Sequence, residues 1–171
     1  MTDLQNRIIH GCQLTVLTCI DFRLHGAWDL HKCMVDEFRQ GKDPGYGFYD
    51  PLTLPGACHR LVRQTLTRKM IVIEDLGASV SMHSPETIVL IQHEQCGGYA
   101  ADQNIQFEST AHERRVLLED IVASARILRG HFPQLTVLGF IARVDDKRIL
   151  GMDRVFDSSN QHVTDQAQAS V

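Results

Sequence analysis

Two short runs of strand-forming residues in this sequence are each followed at once by polar, chemically active side chains. The runs are Leu14 to Thr18 and Thr87 to Gln92. Short apolar runs of this kind are typical of strands that are buried on both faces of a parallel sheet. Because the carboxyl ends of parallel strands share one edge of a sheet, the side chains that follow the two runs are expected to meet there.

The residues after these runs form a recognisable set of metal ligands. Cys19, Asp21 and Arg23 follow the first run, and His93 and Cys96 follow the second. Two thiolates and one imidazole suit tetrahedral zinc and leave a fourth position open to water or substrate. A structural zinc site usually completes its shell with a fourth Cys or His at short spacing, whereas here the ligands come as a lone Cys and a His-x-x-Cys pair. The pattern therefore favours a catalytic metal.

Cys-x-Asp-x-Arg followed by His-x-x-Cys-Gly resembles the β-class carbonic anhydrases, and most closely a short, divergent branch of them. The resemblance implies that Cys19, His93 and Cys96 bind Zn²⁺ and that Asp21 and Arg23 orient the metal-bound water. It implies a zinc-bound hydroxide that interconverts carbon dioxide and bicarbonate, favoured at alkaline pH. It also implies a homodimer or a dimer of dimers, with the active site near the subunit interface.

Several alternatives remain open at this stage. In some family members the Asp closes the site as a fourth ligand, and the sequence does not choose between the two states. The loop around Gly56 reads Leu-Pro-Gly-Ala-Cys, where the family usually has Arg-Asn-Ala-Gly-Asn. The altered loop could have lost the substrate pocket, which would leave a non-catalytic zinc-binding protein. The same metal centre could also hydrolyse carbon disulfide or carbonyl sulfide, as some members of the β-class do. Asp21 and Arg23 favour an enzyme, because a structural zinc needs neither.

The resemblance also suggests roles for groups around the metal. Backbone N–H groups near Gly56 or near Gly97 and Gly98 could form a pocket for bicarbonate. A titrating side chain must export the proton, and His25, His59 and Glu94 are the candidates.

Composition restricts the classes of protein and the partners that we expect. The 171 residues are 43% hydrophobic with a net charge of −4, which predicts one soluble globular domain and disfavours binding to nucleic acid or a membrane surface. No apolar run approaches the roughly 20 residues that span a bilayer. Five cysteines, an odd number, and a polar start without a signal-like segment predict reduced thiols in the cytoplasm. We place the domain at 1–157 and a polar C-terminal tail at 158–171.

Periodicity predicts the remaining elements. Helices are expected over 24–39, about 58–67, about 70–82, and from a Thr110-x-x-Glu113 capping box to Gly130. Further strands are expected before Gly56, over 135–142, and over 148–155 as an antiparallel edge. The run Glu113 to Arg115 is interpreted as a solvated helix start, and Cys12, Cys33 and Cys58 as small buried residues. The fold class predicted is α/β, a single domain with a mainly parallel sheet of about four to five strands flanked by helices.

Overall fold

A five-stranded sheet forms the centre of the chain. The computed structural model describes residues 12–26, 29–39, 48–101 and 105–159. The strands are β1 (Leu14–Thr18), β2 (Tyr49–Thr53), β3 (Thr87–His93), β4 (Thr136–Val144) and β5 (Ile149–Asp157). Their order is β2-β1-β3-β4-β5, with the first four parallel and β5 antiparallel to β4. The predicted α/β class, the mainly parallel sheet and the antiparallel edge strand are confirmed.

Helices connect and flank these strands. Within the described residues they are α1 (Phe22–His25), α2 (Asp29–Arg39), α3 (His59–Val62), α4 (Leu66–His83), α5 (Gly97–Ala100) and α6 (Thr110–His131). None of them is long and apolar enough to cross a membrane.

Burial explains why β1 and β3 lie in the middle of the sheet. Every residue of β1 is buried, and so is every residue of β3 after Thr87. Alternate strand residues point to opposite faces, so a strand that is buried throughout must be covered on both. The two motif-bearing strands are therefore neighbours in the interior of the sheet, and their carboxyl ends are adjacent.

The first crossover differs from the prediction of one helix over 24–39. The Asp21 carboxylate accepts a hydrogen bond from the backbone N–H of Arg23 at 3.0 Å, which caps α1 and starts it two residues before Leu24. Gly26 ends α1, and α2 begins at Asp29. A residue of the proposed site therefore also starts a helix.

The segment between β2 and β3 also departs from the expected bounds. The strand predicted before Gly56 spans Tyr49–Thr53, and residues 40–47 lie outside the described part of the chain. The helix expected over 58–67 ends at Val62, and the next one begins at Leu66. The run Met70 to Ile73, which also has strand character, lies inside that second helix.

The prediction that Thr110 caps α6 was wrong by one residue. Ser109 is the cap, and its hydroxyl accepts a hydrogen bond from the backbone N–H of His112 at 3.1 Å. The Glu113 side chain does not turn back to the cap, since it bonds to the loop after β3 instead.

The Asp145 carboxylate holds the turn before β5, because it accepts from the backbone N–H groups of Lys147 and Arg148 at 2.8 and 2.9 Å. Most of the predicted tail, residues 160–171, lies outside the described residues.

Candidate metal centre

The structure brings Cys19, His93 and Cys96 together at the carboxyl edge of the parallel strands. Cys19 directly follows β1, His93 is the last residue of β3, and Cys96 lies in the turn after it. One ligand atom from each of the three lies within 4.8 Å of the other two, and all three residues are buried. The grouping predicted from strand ends is therefore present.

The distance between the two sulfur atoms fits a shared metal ion. The Sγ atoms of Cys19 and Cys96 are 3.7 Å apart. A disulfide would bring them to roughly 2 Å. Two thiolates on one tetrahedral zinc, each about 2.3 Å from it, would lie about 3.8 Å apart.

His93 presents one ring nitrogen to the same space. Its Nδ1 donates to the backbone carbonyl of Glu94 at 2.8 Å, which leaves the lone pair on Nε2. Nε2 is fully buried and has no hydrogen-bond partner among the described residues. An orphaned buried acceptor costs stability unless something binds it, so the donor set fits a metal ion.

The protonation of the two thiols supports the same conclusion. A hydrogen bond from the Cys96 thiol, helped by His93 and by the N–H of Gly56, lowers the pKa of Cys19. The same contact with Cys19, together with burial, raises the pKa of Cys96. The pair therefore readily loses one proton, and a cation is needed to hold both sulfurs as thiolates.

Backbone N–H groups from the Gly-containing loops face the ligand sulfurs. The N–H of Gly56 donates to Cys19 Sγ at 3.4 Å, and the N–H of Gly98 favours the thiolate form of Cys96. The two loops touch closely, since a Cβ built on Gly98 would lie 2.4 Å from the nitrogen of Gly56. These N–H groups point at the ligand sulfurs, whereas the sequence suggested a pocket for substrate.

Asp21 and Arg23 form a two-pronged ion pair beside the ligands. Arg23 donates from Nε to Oδ1 of Asp21 at 2.9 Å and from its terminal nitrogen to Oδ2 at 2.8 Å. These bonds lower the pKa of Asp21 to about 2 against the effect of partial burial. Oδ2 lies 3.9 Å from His93 Nε2. An ionised carboxylate is thus held at the edge of the ligand group.

Arg23 also joins the two ligand-bearing loops. Its guanidinium donates to the backbone carbonyl of Gln95 at 2.9 Å and to the side-chain oxygen of Gln95 at 3.3 Å. Gln95 lies between His93 and Cys96 and has a φ of 55°, which costs about 1–2 kcal/mol for a residue with a side chain. Contacts from outside the loop are therefore needed to hold it in this shape.

Glu113 provides such a contact, which the sequence analysis missed. Its carboxylate accepts from the N–H of Gln95 at 2.7 Å and also bonds to the N–H of Cys96. Glu113 is buried, so the interpretation of this run as a solvated helix start was wrong. The neighbouring Arg114 pairs with Glu94 and with Asp153. Only the glutamate in the first turn of α6 hinted at this role.

A buried polar network lies behind the ligand loop. The hydroxyl of Tyr99 accepts from Gln92 Nε2 at 2.6 Å and donates to Asp120 at 2.7 Å. Arg63 donates to the same oxygen of Asp120 at 2.8 Å. This network ties β3 and α5 to α6, so it fixes the position of the loop between β3 and α5 that carries Cys96.

The three candidates for proton export occupy different surroundings. His25 is exposed, and its Nε2 donates to the carbonyl of Cys19 at 2.6 Å. His59 is buried, with its ring against Tyr99. Glu94 is half-buried and forms an ion pair with Arg114. His25 therefore combines exposure with nearness to a ligand.

Comparison with known proteins shows the family. Residues 9–143 match the family described as "putative carbonic anhydrase". The chain therefore belongs to this family. A search of curated proteins found no match.

Solved structures of carbonic anhydrases share the fold at low sequence identity. A carbonic anhydrase from Streptococcus mutans is 20% identical with a TM-score of 0.52, covering 87% of this chain and 84% of the other. The β-carbonic anhydrase isoform I from Trichomonas vaginalis is 14% identical with a TM-score of 0.54, covering 87% of this chain and 86% of the other. One of the tetrameric β-carbonic anhydrases from Sordaria macrospora is 12% identical with a TM-score of 0.55, covering 85% of this chain and 81% of the other.

Proposed function

We propose that this protein is a zinc-dependent carbonic anhydrase that interconverts carbon dioxide and bicarbonate. The observation that carries the proposal is the buried Nε2 of His93, which has no partner among the described residues and faces two sulfurs 3.7 Å apart. Cys19, His93 and Cys96 would hold the ion. The family match and the fold support the same reaction.

Zinc at this site would supply a Lewis acid that acidifies a water molecule. Because two thiolates cancel the formal charge of the ion, we expect that acidification to be modest and turnover to rise between neutral and alkaline pH. Asp21, ionised and able only to accept, would take a hydrogen bond from that water and fix its orientation. Arg23 would keep the carboxylate in place through two charge-assisted bonds.

The contacts of Arg23 bear on whether Asp21 is itself a ligand. Both carboxylate oxygens of Asp21 bond to Arg23. If the carboxylate moved onto the metal, this ion pair would be lost. The largely buried guanidinium of Arg23 would then have no anion to balance its charge, which costs free energy. We therefore propose that Asp21 stays paired with Arg23 and would not itself bind the ion.

We also propose that the protein is a homodimer or a higher homo-oligomer with this site near the interface. Ile20 and Phe22 flank Asp21 and have relative exposures of 55% and 68%, an unusual position for large apolar side chains beside a polar site. Phe22→Asp should reduce the mass measured by light scattering. Leu66→Asp, at an apolar residue that is 74% exposed on α4, should leave it unchanged.

The decisive experiment is stopped-flow hydration of carbon dioxide by the zinc-loaded protein at neutral and alkaline pH. We expect turnover that rises with pH. Asp21→Asn should keep its zinc and lose roughly 10- to 100-fold in turnover, as is typical when a group that orients a metal site is changed. Asp36→Asn, at an exposed aspartate on α2, is the matched control and should behave like the parent.

The same experiment distinguishes the alternatives. A zinc-loaded protein that hydrolyses carbon disulfide or carbonyl sulfide but does not hydrate carbon dioxide would be a relative with a different substrate. Zinc without turnover on any of these would identify a non-catalytic zinc protein. Full activity in Asp21→Asn would contradict the role of the Asp21–Arg23 pair.

A further inference from the structure

A second group of metal-ligand side chains lies away from the proposed zinc site. Cys12 lies just before β1, Asp50 is the second residue of β2, and His83 is the last residue of α4. One ligand atom from each lies within 4.8 Å of the others. The group sits at the amino ends of β1 and β2, whereas Cys19 follows the carboxyl end of β1.

The backbone holds these three elements in place. The N–H of Cys12 donates to the carbonyl of His83 at 3.2 Å, which fixes the start of β1 against the end of α4. Asp50 is paired in register with Thr15 of β1. The arrangement is therefore built by the sheet and by a main-chain contact, and all three side chains are half-buried.

One pair of donor atoms has the spacing that a shared metal ion would give. Cys12 Sγ lies 3.5 Å from Oδ2 of Asp50, whereas His83 Nδ1 hydrogen-bonds directly to the same oxygen, a contact that a shared ion would replace. A thiolate about 2.3 Å and a carboxylate oxygen about 2.0 Å from one tetrahedral zinc would lie about 3.5 Å apart. The observed distance between sulfur and oxygen equals this value.

Asp50 holds the cluster together through one oxygen. His83 Nδ1 donates to Oδ2, and so does the hydroxyl of Ser79 at 2.7 Å. The sulfur of Cys12 lies 3.5 Å from the same oxygen and 3.3 Å from the carbonyl of Leu14, and its one S–H proton can serve only one of them. A bound ion would replace the S–H and N–H donors, and Ser79 would remain as the outer partner that orients the carboxylate. The hydroxyl of Thr15, 2.6 Å from that of Ser79, extends this shell.

Protonation argues against the simplest alternative, a reactive cysteine. Burial and the neighbouring Asp50 raise the pKa of Cys12 to about 11, so the free thiol is a poor nucleophile. The hydrogen bonds from Ser79, His83 and Cys12 outweigh partial burial and lower the pKa of Asp50. Cys12 is therefore suited to bind an ion rather than to react, as the position of its sulfur beside Asp50 and His83 indicates.

We propose that Cys12, Asp50 and His83 bind a second divalent transition-metal ion of the zinc class. One sulfur, one nitrogen and one oxygen suit zinc or cobalt better than the all-oxygen ions magnesium and calcium. The ion would join the end of α4 to the β1–β2 edge of the sheet. This inference does not depend on the proposed hydratase activity.

The test is the amount of zinc held by the full-length protein after chelation, reloading with Zn²⁺ and desalting. The parent protein should hold one more equivalent of zinc per chain than either variant, Cys12→Ser or His83→Gln. Cys33→Ser, at another half-buried cysteine outside both groups, should match the parent. Serine keeps a hydroxyl that can still donate to Asp50, so Cys12→Ser should fold, which circular dichroism checks.

A second measurement uses Co²⁺ as the probe. Cys12→Ser should lose part of the thiolate-to-cobalt charge-transfer absorption and keep the part that depends on Cys96. Cobalt affinity at the second site should fall by more than the roughly 10- to 100-fold that loss of an outer partner costs. Equal metal content in the parent, Cys12→Ser and His83→Gln would overturn the proposal. Failure of the zinc site proposed above would show separately, as unchanged metal in Cys96→Ser.

Discussion

The carboxylate of Glu113, on α6, accepts a hydrogen bond from the backbone N–H of Gln95 at 2.7 Å. Gln95 lies between His93 and Cys96 and has a left-handed backbone. The shape of the ligand loop is thus maintained by a side chain from a helix that supplies no ligand itself. Glu113 is a positioning residue, and its effect should be visible in metal binding.

Glu113→Ala should weaken zinc binding by roughly 10- to 100-fold, because the loop loses its outer support. The N–H groups of Gln95 and Cys96 would lose their acceptor. Cys96 is buried, where an unpaired group costs about 1–3 kcal/mol in the free energy of unfolding. Competition with a chromophoric chelator measures the first effect. Glu119→Ala, at an exposed residue of the same helix, is the control. A loss of stability with unchanged zinc affinity would reduce Glu113 to a purely structural role.

Gly98→Ala should destabilise the fold, because its Cβ would lie 2.4 Å from the nitrogen and 2.7 Å from the Cα of Gly56. These are backbone atoms, which cannot rotate away. We therefore expect the free energy of unfolding to fall by at least about 1–3 kcal/mol, the usual cost of overpacking. Urea unfolding measures the change. Gly97→Ala is an adjacent control, since nothing described lies within 4 Å of its Cβ position. Equal stability of the two variants would show that the loops separate without cost.

Tyr99→Phe should lower the free energy of unfolding by about 1–3 kcal/mol, because Gln92 and Asp120 would both lose a buried partner. Thermal or denaturant unfolding measures this cost. Combining the change with Asp120→Ala should give less than the sum of the two single effects, since both remove the same hydrogen bond. Strict additivity would mean that the network does not act as a unit.

Removal of zinc should lower the melting temperature of the protein. In the Cys12→Ser background only the site of Cys19, His93 and Cys96 can bind zinc. At a hundred times its dissociation constant, zinc bound there would add about 2.7 kcal/mol to the free energy of unfolding. A chelator should abolish this stabilisation. Adding Cys96→Ser should make the protein insensitive to it. A melting temperature that does not change with zinc in the Cys12→Ser background would argue against the first site.

Much of the fold and the ligand set could be predicted from the sequence, because both depend on local patterns. The run from Leu14 to Thr18 gave the bounds of β1 without error, since a continuous apolar stretch ending in a polar motif leaves little choice of strand. The second motif follows a strand as well, and parallel pairing brings the two strand ends together. The grouping of Cys19, His93 and Cys96 follows from these two facts.

What only the tertiary structure decided depends on contacts between residues that are far apart in the chain. Glu113 looked like a solvated helix start and is instead buried against Gln95. Nothing in the local sequence around Cys12 indicates that Asp50 and His83 lie beside it. Periodicity reports which face of an element is buried, whereas the partner on that face depends on how whole helices and strands pack together.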